Sequence, residues 1–190
     1  MAVERGSASN TGRGYGGQSM SAPMRRVLVR CPAPPASEEQ WRSFGFARAV
    51  NQAQAREEHS AFVQILTDAG VDVEVETGDA AGMLDAIFSY DPSIMTDRGA
   101  ILLRPGKRLR EAEVALHEAT YARLGIPIAG RIEPPGTVEG GDTLWLDERT
   151  LSVGRGYRTN DAGIDQLRAI LAEQGVSVMT VELPHWHGPE

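Results

Sequence analysis

Cysteine is nearly missing from this sequence. Cys31 stands alone in 190 residues, so no internal disulfide can staple the chain. Long apolar runs are missing too: none approaches the roughly 20 residues of a membrane-spanning helix. Basic residues are in deficit, 19 against 26 acids, for a formal net charge of -7. A nucleic-acid surface usually shows as a basic stripe, so that partner class is set aside and a small cationic ligand suits the balance better. The first 22 residues, rich in Gly, Ser, Arg and Asn, lack the roughly 7 to 15 residue apolar stretch of a secretory signal. A cytoplasmic location is therefore expected. Residues 1–24 are expected to be a disordered leader, with Met20 or Met24 as candidate natural starts, because regular apolar patterning begins only at Val27.

What is present is the ordinary composition of one globular domain, 41% apolar and 24% charged. A pattern of strand, amphipathic helix, glycine and short apolar strand occurs three times. The first copy runs from residues 26–30 through Phe62, Ile65 and Leu66 to residues 70–75. The second runs from residues 100–104 through Val114, Ala119 and Leu124 to residues 125–128. The third runs from residues 151–154 through Ile164, Leu167, Ile170 and Leu171 to residues 175–178. Gly70, Gly125 and Gly175 close the three helices where a left-handed residue is needed. One such module cannot bury its apolar face alone and must be covered by neighbours. A plain α/β sandwich of similar units fits the same periodicity.

Charge gathers at the ends of these elements. Glu139-Gly140-Gly141-Asp142 brackets two glycines with two acids and leads into the apolar strand Leu144-Trp145-Leu146. Arg158-Thr159-Asn160 precedes the third helix, where Thr159 or Asn160 makes a good N-cap. Tyr90-Asp91-Pro92-Ser93 is read as a strand end, followed by Arg104-Pro105-Gly106-Lys107-Arg108-Leu109-Arg110 at the next strand-to-helix turn. Paired carboxylates can hold a guanidinium by bidentate hydrogen bonds, and arginines at helix starts can clamp a carboxylate. Taken singly, each motif also fits a tight turn or a solvated face.

In this order the segments resemble the dimethylarginine dimethylaminohydrolases, arginine deiminases and glycine amidinotransferases, over about residues 25 to 182. The specific part is Glu139-Gly140-Gly141-Asp142 followed by Arg158-Thr159-Asn160. The resemblance implies an α/β fold of the pentein type, a propeller of five modules, of which about three lie in a partial domain over residues 25–190. It implies hydrolysis of the guanidino C–N bond of arginine or a methylated arginine, giving citrulline and an amine. A nucleophilic cysteine attacks the guanidinium carbon while a histidine protonates the departing amine. An amidinotransferase or arginine deiminase of the same superfamily, or a non-catalytic guanidino-binding module, is the alternative. Carried across, Asp91 would hold the guanidinium, Arg110 and Arg158 would be candidates for the substrate carboxylate, Glu139 would orient the catalytic histidine, and Asp142 would support the site. No metal or organic cofactor is expected. Ser89 and Tyr90 stand before Asp91 where the family often carries a further acid or polar ligand, which leaves the distal substrate group open.

The family histidine and cysteine are expected beyond the strand at residues 176–181, and the chain is expected to be inactive by itself. His185 and His187 sit near the histidine's place, in a proline-bounded loop, and their His-x-His spacing makes only a weak metal signal. A rival enzyme would pair one of them with Cys31. His59 and His117 read as structural or solvated, and Cys31 as a small hydrophobe ending the first strand. The connection over residues 32–50, with Trp41 and Phe44, is a lid or a locally packed loop. An open array leaves an edge and an apolar face through which self-association is expected.

Overall fold

The structure is a computed structural model that describes residues 2–4 and 24–184, with side chains over 24–184. Three separate three-stranded sheets are built to one plan. In the first, β1 (Ala2–Glu4) runs antiparallel to β2 (Arg26–Val29), and β2 runs parallel to β3 (Asp72–Val75). In the second, β4 (Ser93–Thr96) is antiparallel to β5 (Gly99–Leu102), which is parallel to β6 (Ile128–Arg131). In the third, β7 (Thr143–Asp147) is antiparallel to β8 (Thr150–Arg155), which is parallel to β9 (Ser177–Glu182). A short helix α1 (Gln40–Ser43) lies in the 32–50 connection. The parallel pairs are joined by α2 (Gln52–Asp68), α3 (Glu113–Leu124) and α4 (Asp161–Ala172), as a parallel pair requires. The sheets are open; none closes on itself.

The repeat seen in the sequence is thus the second half of a larger unit, and of the three leading antiparallel strands the sequence marks only the third, around Leu144-Trp145-Leu146. Gly70, Gly125 and Gly175 do stop the three helices with φ of 81°, 69° and 71°. Asn51 and Asn160 open α2 and α4, each side chain accepting the backbone N–H three residues on, from Gln54 and Gly163. Three expectations change. Ala2–Glu4 is a paired strand rather than part of a disordered leader: its register on Arg26–Leu28 fills an otherwise unpaired edge. The rest of that leader lies outside the described residues. The returning strand of the second unit starts at Ile128 rather than directly after Gly125, because Pro127 has no N–H and contributes only its carbonyl, to Ala100 N at 2.9 Å. Asp91 does not end a strand. Residues Leu84–Ile87 wind into a 3-10 turn, and Asp91 lies just before β4 begins.

Side-chain alternation decides what covers each sheet. On β2, Val27 and Val29 face Val63 and Leu66 of α2, while Leu28 faces Val114 and Tyr121 of α3. On β5, Ala100 and Leu102 join that α3 cluster, while Ile101 packs with Ile164, Leu167 and Leu171 of α4. Each of these sheets is therefore sandwiched between its own helix and the next unit's helix. On β8, Leu151 and Val153 pack on α4. The opposite face of that third sheet leaves Leu144, Leu146, Met179 and Val181 exposed.

A buried polar chain ties the first two units together. Arg30 donates to Glu76 at 2.6 Å, Thr120 donates to the other Glu76 oxygen at 3.1 Å, and His117 Nδ1 lies 2.9 Å from Ser93 Oγ. Burial, aided by the nearby Arg30 guanidinium, pushes the His117 imidazole down from 6.5 to about 3. The unfolded chain then binds a proton that the folded chain refuses. His117 stability is complete above about pH 6.5 and is lost as pH falls towards 3. Relative to His117→Gln, the wild type should lose on the order of a few kcal/mol as pH falls across that window, read from urea midpoints taken against pH. Parallel profiles would remove His117 as the cause.

Candidate active site

The C-terminal ends of β2, β5 and β8 and the starts of β4 and β7 lie at one end of their sheets, and the charged motifs sit in the turns there. The turns are laced by backbone bonds: Val138 N to Arg104 O at 2.8 Å, Asn160 N to Thr137 O at 3.1 Å, and Gly140 N to Asp91 O at 3.0 Å. Asp91 and Glu139, 48 residues apart by number, are thereby placed against one another's turns. Gly141 N donates to Asp91 Oδ1 at 2.7 Å. The glycines are required by this approach: a Cβ on Gly140 would stand 2.0 Å from the Tyr90 carbonyl oxygen, and one on Gly141 would stand 2.7 Å from Asp91 Oδ1.

Glu139 is 7% exposed. Its Oε1 accepts from Arg158 Nη1 at 2.9 Å and from Lys107 N at 3.2 Å, and Arg158 also reaches Oε2 at 3.2 Å. Thr159, fully buried, holds the turn from behind. Its Oγ1 accepts from Glu139 N at 3.1 Å and donates to Asp142 Oδ2 at 2.6 Å. Burial raises the Asp142 carboxyl above its ordinary value against the Thr159 hydrogen bond, and the neighbouring Glu139 and Asp91 push in the same direction as burial. Asn160, rather than Thr159, caps α4.

The two arginines separate. Arg158 has a side chain 43% exposed, with room to turn to a ligand. Arg110 is 3% exposed and its guanidinium is engaged within the protein. It donates to both Glu113 oxygens, to Asp91 Oδ2, and to the carbonyls of Asp85 and Phe88. Sequence reasoning did not single out Glu113, whose position three residues after Arg110 on a helical stretch was the available signal. Lys107 and Asp85 were also passed over: Lys107 Nζ lies 2.7 Å from Asp85 Oδ2 and 2.6 Å from the Phe44 carbonyl. Phe44 is buried, which brings the 32–50 connection against the same cluster, whereas Trp41 is half-buried and stacks on Arg42.

His185 and His187 fall outside the described residues, and so does the rival that pairs them with Cys31. His117 lies behind the site on Ser93, and His59 lies 3.7 Å from Cys31. Among the described residues, no three His, Cys, Asp or Glu side chains gather as a metal ion would need, and no helix is long and apolar enough to cross a membrane. The cluster is a set of carboxylates held by backbone N–H groups and guanidinium donors.

The family model for arginine deiminase matches residues 82–188, more than half of the chain and the whole of this cluster. The chain belongs to the arginine deiminase family. This family member is 37% identical to the N(G),N(G)-dimethylarginine dimethylaminohydrolase of Pseudomonas aeruginosa over 131 residues, which is 69% of the chain and 51% of that protein. It is 35% identical to the enzyme of the same name from Streptomyces coelicolor over 164 residues, 84% of the chain and 60% of the relative. The solved structure of a mutant dimethylarginine dimethylaminohydrolase from P. aeruginosa complexed with citrulline superposes with a TM-score of 0.70 at 31% identity, covering 84% of this chain and 61% of that one. The arginine deiminase family chain described here therefore spans about half to three-fifths of the length of these relatives.

Proposed function

We propose that this chain forms the acid-bearing part of a hydrolase that cleaves a guanidino C–N bond of arginine or a methylated arginine, releasing citrulline and an amine. The observation that carries the reading is the placement of Asp91 against the Glu139-Gly140-Gly141-Asp142 turn, with Gly140 N on the Asp91 carbonyl and Gly141 N on its carboxylate. That placement supports a site in which carboxylates grip a guanidinium. The match to relatives named for dimethylarginine hydrolysis supports the same substrate class.

In this reading Asp91 holds the guanidinium of the substrate and Glu139 orients a histidine that protonates the leaving amine. Arg158, partly exposed on Glu139, takes the substrate carboxylate. Arg110 serves as the fixed cation that keeps Asp91 aimed. Asp142 acts through Thr159 to set the turn. A cysteine attacks the guanidinium carbon, the amine leaves with the histidine's proton, and water then resolves the adduct. No described cysteine or histidine stands in this cluster, so we assign the nucleophile and the acid to none of them and propose that the 190-residue chain binds without turnover. Binding alone would also follow from a non-catalytic guanidino-binding module.

The fold reading rests on the uncovered face of the third sheet. The first two sheets are each covered by a following unit's helix, and Leu144, Leu146, Met179 and Val181 form the face where such a helix would pack. We propose an array of the propeller type in which further units complete the site, and self-association through this face in the chain by itself. The test is a calorimetric titration of the chain with arginine and dimethylarginine beside a citrulline-release assay. Binding weakened at least about tenfold by Asp91→Asn, without citrulline from the chain itself, is expected. Citrulline release by the chain would sink the assignment of the nucleophile elsewhere, and equal binding by Asp91→Asn would sink the role of Asp91.

A further inference from the structure

Away from the acid cluster, Cys31 lies two residues past the end of β2 and is exposed. Its neighbour is an unusual one. His59 is the buried residue of α2, 9% exposed, and its Nδ1 lies 3.7 Å from Cys31 Sγ. His59 Nε2 is buried and has no hydrogen-bond partner among the described residues. Buried imidazoles are normally held by hydrogen bonds, and here the one side chain addressed is a thiol that solvent can reach. Burial keeps the His59 ring below its ordinary pKa of 6.5, against a hydrogen bond to the Arg30 backbone that pulls the other way. The ring is neutral at neutral pH, so one nitrogen carries a lone pair towards its surroundings.

We propose that Cys31 is a covalent modification site for small disulfides, with His59 as the acceptor of its proton. Cys31 Sγ attacks one sulfur of the disulfide. The new Sγ–S bond forms as the old S–S bond breaks, and the thiol proton passes to His59 Nδ1 and then to the departing thiolate. One protein mixed disulfide and one small thiol result, and the incoming disulfide is the oxidant. The ligand class is a small, water-soluble disulfide such as oxidised glutathione, because the thiol is open to solvent while the base is enclosed. An adduct here stands at the root of the 32–50 segment, whose buried Phe44 is bonded to Lys107, and the Lys107 N–H reaches Glu139.

Because the chain has one cysteine, intact mass reports this site alone. The whole chain, Cys31→Ser and His59→Gln would be mixed with oxidised glutathione and the adduct followed by mass over time. One glutathionyl adduct per chain is expected in the wild type and none in Cys31→Ser. Between about pH 8 and about pH 6 an unassisted thiol slows about a hundredfold, since only its thiolate reacts. That fall is expected of His59→Gln, whereas the wild type should slow less than about tenfold. If His59→Gln does not fold, the urea-unfolded wild type supplies the unassisted thiol instead. A wild type that slows about a hundredfold, or that stays unmodified, overturns the proposal.

Discussion

Gly140→Ala should lower the melting temperature by roughly 6 to 12 °C, a cost of about 3 kcal/mol for a chain of this size. A Cβ at this position would lie 2.0 Å from Tyr90 O and 2.9 Å from Tyr90 C. Both atoms are backbone, so no rotamer change relieves the clash and the two turns must separate. Separation takes with it the Gly140 N bond to Asp91 O and then the Gly141 N bond to the Asp91 carboxylate. Guanidino binding should therefore fall together with stability. Gly156→Ala is the control: its Cβ would meet Leu183 at 3.5 Å and beyond, ordinary contact, and its melting temperature should stay close to the wild type. A Gly140→Ala chain melting within about 2 °C of the wild type would show that the turns are not held against each other as described.

The same glycine shows how much of the site was legible in the sequence. Two acids around two glycines mark a tight turn carrying charge, and the closing glycines of three helices mark a repeat, because both follow from backbone geometry that is local in the chain. The partner that makes Gly140 necessary is Tyr90, and only folding brings it there. Thr159 illustrates the same limit. Its type suits a cap, yet Asn160 takes that role, and the Thr159 hydroxyl goes to Asp142 and the Glu139 amide. The leading strands β1 and β4 were missed because three or four residues span at most two periods of strand alternation, and neither Ala2–Glu4 nor Ser93–Thr96 carries the apolar run that marks β2 and β5. Cys31 was read as a small hydrophobe, since a helix 21 to 37 residues later gave no sign that one of its faces would bring His59 alongside.

Arg110 is where the two levels of reading diverge most, and Arg110→Met decides between them. As a solvent-facing clamp for a ligand carboxylate, Arg110 would be removable at little cost to stability. As placed, it is the cation for Glu113, 1% exposed, and for Asp91, and its loss would strand a buried carboxylate. Breaking such a pair from one side costs about 3–5 kcal/mol, which should appear as a lower urea midpoint. Glu113→Leu added to Arg110→Met removes the stranded charge and should recover much of the loss, with Asp91 still satisfied by Gly141 N. The pH dependence gives a second axis. Burial already pushes the Glu113 carboxyl up from 4.5 to about 7 against the pull of Arg110, so the folded chain binds a proton that the unfolded chain gives up. Stability linked to Glu113 therefore declines as pH rises from about 4.5 to about 7 in the wild type. Without Arg110 the carboxyl rises further and the decline continues to higher pH. The gap between Arg110→Met and the wild type should thus be widest in mild alkali and narrow in acid, while the double variant should show neither the slope nor the gap. A gap that is small and constant with pH would return Arg110 to the surface role that the sequence suggested.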